Sequence, residues 1–204
     1  MKTGPKYKLA KRLGASIFEK TQGQKFALSQ ERSAMNKKGG RGRGPSEFGK
    51  QLLEKQKVRV TYGLSESQFS SYVRTAMDSH GANPSEILHR HMEMRLDNIV
   101  YRIGLASTRR FARQMVSHGH ITVNGKKSTI PSQTIKIGDV IAVREGSKDR
   151  VLFENFNEKF LERPLPSFLT WDPKAMQGGV IEIPTMEATG TAGDLPMVLS
   201  FYSR

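Results

Sequence analysis

The sequence predicts an α+β protein, in which a module of about 60 residues combines a helix pair with a small, twisted antiparallel sheet. Three observations lead to this prediction. Apolar residues recur at helical spacing between residues 46 and 118. An Asn-Gly pair at 124–125 then joins two short β-type runs, and this pair is preferred in two-residue hairpin turns. Finally, 204 residues with 36% hydrophobic content are enough to bury a core.

The charge of the chain favours a polyanionic partner. A net charge of +14 and a pI of about 10.1 exceed what solubility requires and attract nucleic acid over long distances. Residues 1–60 carry 16 Lys and Arg against 4 Asp and Glu, residues 61–144 carry 11 against 6, and residues 145–204 carry 6 against 9. We therefore expect the basic part to bind nucleic acid and the mildly acidic C-terminal part to meet protein or solvent.

Composition argues against several other classes of protein. No apolar run approaches the ~18 residues of a membrane-spanning helix, and the first residues lack the apolar segment of a secretory signal. We therefore expect a cytoplasmic protein without a membrane partner. The absence of cysteine excludes a disulfide framework, a thiolate nucleophile and cysteine-bound zinc. Because P-loop, nucleophile-elbow and paired-carboxylate patterns are also missing, we predict no enzyme activity, no catalytic residue, no metal and no cofactor.

Residues 1–45 are predicted to form a basic, extended N-terminal arm. A short basic helix is expected around Leu9 and Leu13, and the text NKKGGRGRGP at 36–45 then places four cations on a glycine-rich backbone. One interpretation is a disordered tail that increases solubility. We favour an arm that becomes ordered against phosphates, because glycine permits a close backbone approach and arginine offers a planar fork to phosphate oxygens.

Three helices are predicted between the arm and residue 94. The first covers residues 46–64, begins at a Ser46 cap and carries more cations than acids on its outer face. The second opens with the Ser-Glu-Ser-Gln sequence at 65–68, which is a capping box. The third begins at Asn83. The apolar residues of these helices are interpreted as core.

A helix pair is predicted over residues 95–119. Ile99 and Ile103 recur on one apolar face, and Gly104 ends the first helix. Ser107 is expected to cap the second helix. The two helices should therefore share one buried side.

The second helix of this pair carries an unusual group of arginines. Arg109, Arg110 and Arg113 lie near its positive N-terminal end, and His118 follows on the same side. Like charges at this spacing repel one another and the helix dipole. A stability-only account gives no reason for this arrangement, whereas a bound anion would reverse the sign of the interaction. We predict an anion-binding face.

Short β-type runs follow the helix pair. A strand at 121–123 is predicted to pass through the Asn-Gly turn, and a second hairpin-like unit is predicted over residues 135–143. These runs complete a module at 92–157. Beyond it, phenylalanines at helical spacing predict a helix before Pro164, and the apolar end of the chain must pack on its own helices or on another protein.

Four stretches of the chain resemble bacterial-type members of the ribosomal protein S4 family. They are GPKYKLAKRLG, FGKQLLEKQKVRVTYGLSESQF, RLDNIVYRIGLASTRRFARQMVSHGHITVNGKK and the terminal FYSR. They follow the family's order along nearly the whole chain. Residues 92–157 alone also resemble modules of pseudouridine synthases, some tRNA synthetases and heat-shock RNA-binding proteins. Because many relatives hold zinc with four cysteines, this chain resembles the zinc-free variety.

The resemblance implies a helical domain with an inserted S4-type RNA-binding module. In that scheme residues 46–91 and 158–204 form the helical domain, residues 92–157 form the module, and residues 1–45 form the arm. The implied function is a structural constituent of the small ribosomal subunit and a primary 16S-type rRNA-binding protein. This protein would nucleate assembly of the 5′ domain and contribute to translational accuracy. Implied partners are small-subunit rRNA, the fifth small-subunit protein (uS5), and messenger RNA near the channel through which it enters.

The resemblance also implies a set of RNA-binding cations. They come from the arm, the first long helix and the module, and they are Lys6, Lys8, Arg12, Arg41, Arg43, Lys50, Lys55, Lys57, Arg59, Arg95, Arg109, Arg110, Arg113, His118, Lys126 and Lys127. An alternative is a non-ribosomal RNA- or DNA-binding regulator, because two short helices joined by a turn resemble a helix-turn-helix. Cations from several segments favour structured RNA, which proteins recognise by shape and phosphate geometry.

Overall fold

The computed structural model describes residues 4–14, 17–36, 46–150, 152–153, 165–190 and 192–203. The chain divides into two compact units, residues 1–85 with 191–204 and residues 86–190. The helices of the described residues are α1 Lys6–Leu13, α2 Gln24–Asn36, α3 Glu47–Thr61, α4 Glu66–Met77, α5 Pro84–Glu93, α6 Leu96–Ile103, α7 Arg109–Ser117, α8 Met186–Thr189 and α9 Leu195–Tyr202. The strands are β1 Ile121–Val123, β2 Lys126–Ser128, β3 Val140–Val143, β4 Leu169–Asp172 and β5 Gln177–Val180.

The first unit is helical. Ser46 caps α3 as predicted, because its hydroxyl accepts a hydrogen bond from Gly49 N at 3.2 Å. Ser65 caps α4 in the same way through Gln68 N. Leu64 and Phe69 are fully buried between these helices and their neighbours. Apolar burial and capped ends together hold α3 and α4 in place.

The C-terminal helix α9 packs on α3. Gln51 donates to Ser200 Oγ at 3.0 Å, and Glu54 accepts from Asp194 N at 3.1 Å. A Cβ at Gly193 would lie 2.8 Å from the Glu54 carboxylate and 3.2 Å from Val58, so the chain approaches α3 closely at this point. Of the two alternatives for the apolar end of the chain, the structure shows the first: this end packs on the chain's own helix.

The N-terminal part differs from the predicted extended arm. The helix expected around Leu9 and Leu13 is present as α1, with Leu13 only 3% exposed. The following spacer also forms a helix, α2. Its Phe26 is 2% exposed, with the ring centroid 5.9 Å from that of Tyr7 in α1. Arg41 and Arg43 of the glycine-rich stretch lie outside the described residues.

The second unit packs the helix pair α6 and α7 on a five-stranded antiparallel sheet of order β2-β1-β3-β5-β4. Its core is continuous and includes Ile99, Met115, Ile121 and Ile141. The Asn-Gly turn is confirmed: Asn124 and Gly125 have φ of 50° and 75°, as a type I′ turn requires. Gly104 ends α6 with a φ of 93°.

Two local predictions for this unit are wrong. Thr108, not Ser107, caps α7, because the Thr108 hydroxyl accepts from Phe111 N at 3.1 Å. The hairpin expected over residues 135–143 does not form. Ile135 N instead bonds Met94 O at 2.8 Å, and β3 pairs with β1 and β5. The local turn that the Gly-Asp sequence favoured is present, with Asp139 N donating to Lys136 O at 3.1 Å, but the residues on its two sides bond to different partners and not to each other.

The predicted end of the module at residue 157 is also corrected. Strand β5 pairs with β3, and β4 pairs with β5, so residues 165–190 belong to the second unit and not to the helical domain. Gly178 permits this pairing, since a Cβ there would overlap the Thr170 carbonyl oxygen. The helix predicted before Pro164 falls on residues 154–164, outside the described residues. No helix in the described part of the chain is long and apolar enough to span a bilayer.

Candidate nucleic-acid interface

Helix α7 separates an apolar side from a basic side. Ala112, Met115 and Val116 are at most 1% exposed and fix the helix on the core of the second unit. Its first turn carries Arg109 and Arg110, and Arg113 follows one turn later. We call the part formed by these three side chains the arginine face.

Arg109 is held by its own chain. Its Nε donates to Asn98 Oδ1 at 2.8 Å, and its guanidinium lies 4.4 Å from the centroid of the Tyr101 ring. Asn98 is 2% exposed and donates through Nδ2 to Glu93 Oε2 at 2.8 Å. A buried amide therefore fixes the direction of a cation at the edge of the core.

Glu93 is the buried acid behind this arrangement. It is 0% exposed and accepts from Arg102 at 2.6 Å and 3.0 Å in addition to the bond from Asn98. Arg102 also donates to Thr189 O at 3.2 Å, which ties α8 to α6. Because a buried carboxylate is stable only when paired, these donors account for a charge inside an apolar core.

Arg113 is held by a second buried acid. Asp97, 3% exposed, accepts from Arg113 Nε at 2.8 Å and from Arg95 through bonds of 2.8 and 2.9 Å. The prediction that Arg95 faces RNA is wrong, because this side chain is 2% exposed and its guanidinium donates both of these bonds to Asp97. Arg113 keeps 29% of its side chain exposed.

The two acids change the interpretation of the arginine face. The carboxylate of Asp97 offsets the charge of Arg113, and the neutral amide of Asn98 and the Tyr101 ring fix the position of Arg109, so each arginine has a partner in the fold. The statement that stability gives no reason for these arginines is therefore wrong for both. Arg110 is different: its side chain is exposed, and within the described residues it makes no hydrogen bond or ion pair.

Three further residues predicted to bind RNA lie in the same unit and are exposed. His118 follows the last turn of α7, and Lys126 and Lys127 open β2. The Lys127 stem crosses so close to Gly119 that a Cβ there would overlap it. Gly119 has a φ of 71°, and the Lys127 side chain of the hairpin lies against it at the end of α7.

The predicted cations of α3 are paired within the first unit. Lys57 binds Glu54 at 2.6 Å, and Lys50 lies 3.5 Å from Glu47. Arg59 lies 3.4 Å from Glu66 of α4. Sequence reasoning missed Glu66 as a partner because it lies on the next helix.

Lys55 was predicted to be an exposed RNA contact, but the structure buries its side chain. Its side chain is 8% exposed, binds Glu66 at 2.5 Å and lies 4.5 Å from the centroid of the Phe201 ring. Tyr202 donates to the same carboxylate at 2.8 Å. Burial opposes the charge of Glu66, but the bonds from Lys55 and Tyr202 hold its pKa below the ordinary value. Burial and this carboxylate raise the pKa of Tyr202.

The cations of α1 lie on the outside of the first unit. Lys8 and Arg12 are exposed. Lys6 is half-buried, with its ammonium 5.6 Å from the centroid of the Phe18 ring. A weak cation–π contact of this kind leaves the ammonium available to an anion.

The acid and the amide that hold the arginines were not predicted. Asp97 and Asn98 stand in the first turn of a helix, where an acidic residue is ordinary. Their sequence neighbourhood contains no sign that Asp97 meets a side chain 16 residues later. Only the packing of α6 against α7 brings these groups together.

Comparisons with known proteins cover nearly the whole chain. Residues 1–93 match the family model described as ribosomal protein S4/S9 N-terminal domain, and residues 94–141 match the S4 domain. The small ribosomal subunit protein uS4 of Ligilactobacillus salivarius is 44% identical over 207 residues, covering 99% of this chain and 98% of that protein. The corresponding protein of Limosilactobacillus reuteri is 42% identical over 207 residues, and that of Acetivibrio thermocellus is 40% identical over 209, with the same coverage.

Proposed function

We propose that this chain nucleates assembly of the 5′ domain of the small ribosomal subunit. The chain belongs to the family of small ribosomal subunit protein uS4, which has a structural and rRNA-binding role in the ribosome. We further propose that it contributes to translational accuracy and contacts uS5 and incoming messenger RNA. The family is structural and not enzymatic, as the sequence predicts.

The observation that carries the rRNA-binding proposal is the construction of the arginine face. Buried Asp97 and Asn98 fix two arginines at the edge of an S4 domain, and exposed Arg110 stands between them in sequence. Cations held in fixed positions lose little conformational freedom on binding, so they suit the fixed phosphate geometry of folded RNA. A disordered basic tail would lack this property.

Filter binding tests the RNA preference. The purified chain should bind the 5′ domain of small-subunit rRNA much more tightly than duplex DNA of equal length at physiological salt, with a steep salt dependence for both. Equal affinity for the two would contradict the proposal and favour the alternative, a regulator with a helix-turn-helix-like module.

The proposed assembly role needs a separate measurement. Later small-subunit proteins should join the 5′ domain faster when this chain is already bound, because it would hold RNA helices in their assembled arrangement. Reconstitution with and without the chain, followed by chemical probing of the RNA, measures this effect. Identical probing patterns in the two reactions would argue against nucleation while leaving rRNA binding intact.

A further inference from the structure

A second group of basic side chains lies at the C-terminal end of α7, away from the first turn that carries Arg109. We call it the His120 cluster, formed by His118, His120, Arg144 and Arg150. The rings of His118 and His120 have centroids 6.2 Å apart. Arg144, directly after β3, donates its backbone N–H to His120 O at 2.8 Å. None of the predicted RNA-binding residues except His118 belongs to this cluster.

The centre of the cluster is fixed by the fold. His120 is 6% exposed, and its Nδ1 shares a hydrogen bond of 3.0 Å with the hydroxyl of Ser147, which is 0% exposed. Ser147 N donates in turn to Arg144 O at 2.8 Å. One short 3₁₀ turn, Glu145–Ser147, therefore orients the imidazole and begins directly at Arg144.

The charged groups of the described residues that act on His120 are all basic. Burial, together with Arg150, His118 and Arg144, holds the pKa of His120 below its ordinary value. Of the two carboxylates in this segment, Glu145 is 87% exposed and binds Lys148 at 3.0 Å, and Asp149 is exposed. Within the part of the chain that the structure describes, no carboxylate is among the charged groups that act on His120.

Arg144 adds an independent observation. Its Nε is buried and finds no hydrogen-bond partner among the described residues. Buried N–H groups are normally paired, and an unpaired one on a charged group is especially costly. On the arginine face the comparable side chains Arg109 and Arg113 have acceptors within the fold. At Arg144 the described residues supply none.

We propose that the His120 cluster is a second phosphate-binding site, which takes one phosphodiester group of the RNA backbone. The inference rests on the proposed rRNA binding for the identity of its ligand. A phosphate accepts hydrogen bonds from guanidinium and imidazole groups and supplies a negative charge that the described residues do not bring to His120. Lys127, whose stem crosses Gly119 beside His118 and His120, brings a further cation to the same end of the helix. Two sites at opposite ends of α7 would fix the orientation of the module on its RNA, which a single site leaves open.

Binding of the full chain to the 5′ domain of small-subunit rRNA tests the proposal. The variant Arg144→Gln should weaken binding about tenfold at physiological salt and lower the salt slope by about one. Lys174→Gln is the control, because it removes an exposed charge from the same unit in the β4–β5 turn. Equal affinities and slopes for the two variants would overturn the proposal. If the unmodified chain fails to bind rRNA at all, the proposed function fails and the next measurement alone decides the site.

Inorganic phosphate provides a test that needs neither RNA nor a variant. The ring proton resonances of His118 and His120 should shift saturably when phosphate replaces chloride at constant pH and ionic strength. His80, exposed in the first unit, serves as the internal reference. Shifts at His118 and His120 no larger than the shift at His80 would overturn the proposal, even if Arg144→Gln proves unable to fold.

Discussion

Arg113 and Asp97 lie 16 residues apart in the chain and are joined by a hydrogen bond of 2.8 Å. The carboxylate that receives Arg113 also receives Arg95, which is almost fully buried. One acid thus binds an interior cation and a cation at the surface. The basic surface of this unit is therefore part of its internal structure and not an addition to it.

The substitution Asp97→Asn should destabilise the protein strongly. It leaves Arg95 buried without a compensating charge, and breaking a buried pair in this way costs about 3–5 kcal/mol. Urea denaturation of the full chain measures the free energy of unfolding. Asp78→Asn, at the exposed end of α4, is the control and should change it by less than about 0.5 kcal/mol. A loss for Asp97→Asn as small as that of the control would contradict the pairing described here.

The three arginines of α7 should separate into two classes. Arg110→Gln should weaken rRNA binding about tenfold and leave the free energy of unfolding nearly unchanged, because this side chain is exposed. Arg113→Gln should lower both affinity and stability, because it removes a donor from buried Asp97. Filter binding and urea denaturation of the same preparations measure the two quantities. Equal stability losses for the two variants would show that exposure does not distinguish them.

Asn98 should affect RNA binding only through Arg109. The variant Asn98→Ala removes the acceptor that orients this arginine, and we expect a coupling of about 0.5–3 kcal/mol between the two positions in rRNA affinity. A double-mutant cycle of Asn98→Ala and Arg109→Gln measures it. The pair Asn98→Ala and Arg110→Gln is the matched cycle and should be additive. Additivity in both cycles would mean that Asn98 supports the core but does not position Arg109.

The contribution of Glu66 to stability should depend on acid pH. Its pKa is lowered from 4.5 in the folded state, so its stabilising effect is present above pH 4.5 and is lost as the pH falls through the folded value. Chemical denaturation of the unmodified chain and of Glu66→Gln, compared at pH 7 and at successively lower pH, measures the effect. The difference in unfolding free energy should narrow with falling pH. A constant difference would indicate that the charge of Glu66 is not involved.

Local signals were sufficient for part of this fold. Apolar spacing predicted α6 through Ile99 and Ile103, and the turn at Asn124 is confirmed in conformation as well as position. These features depend on residues close together in sequence. The sequence predicts an extended segment beginning at Gly178, but the pairing of β5 with β4 and with distant β3 was missed. The residues of β5 carry no alternating pattern, and nothing close to them in sequence indicates a partner on β3.

The candidate site was predictable in residue type but not in arrangement. The arginine-rich turn identifies α7 as basic, yet nothing near it indicates which side chains have partners. Lys55 and Arg95 look like their neighbours in sequence, and both are buried against acids. Pairing across helices, here by Glu66 and Asp97, decides which cations remain available. A count of charges along one helix does not contain that information.

The contact between Gln51 and Ser200 joins residues that are 149 positions apart. During synthesis, α3 therefore leaves the ribosome long before α9 has been made and can pack on it. Residues 86–190 are contiguous, so the second unit can close while the last segment is still being synthesised. The order of completion is thus the reverse of the order in which the two units begin. A nascent chain would therefore contain a folded second unit while the first unit still lacks its final helix, α9.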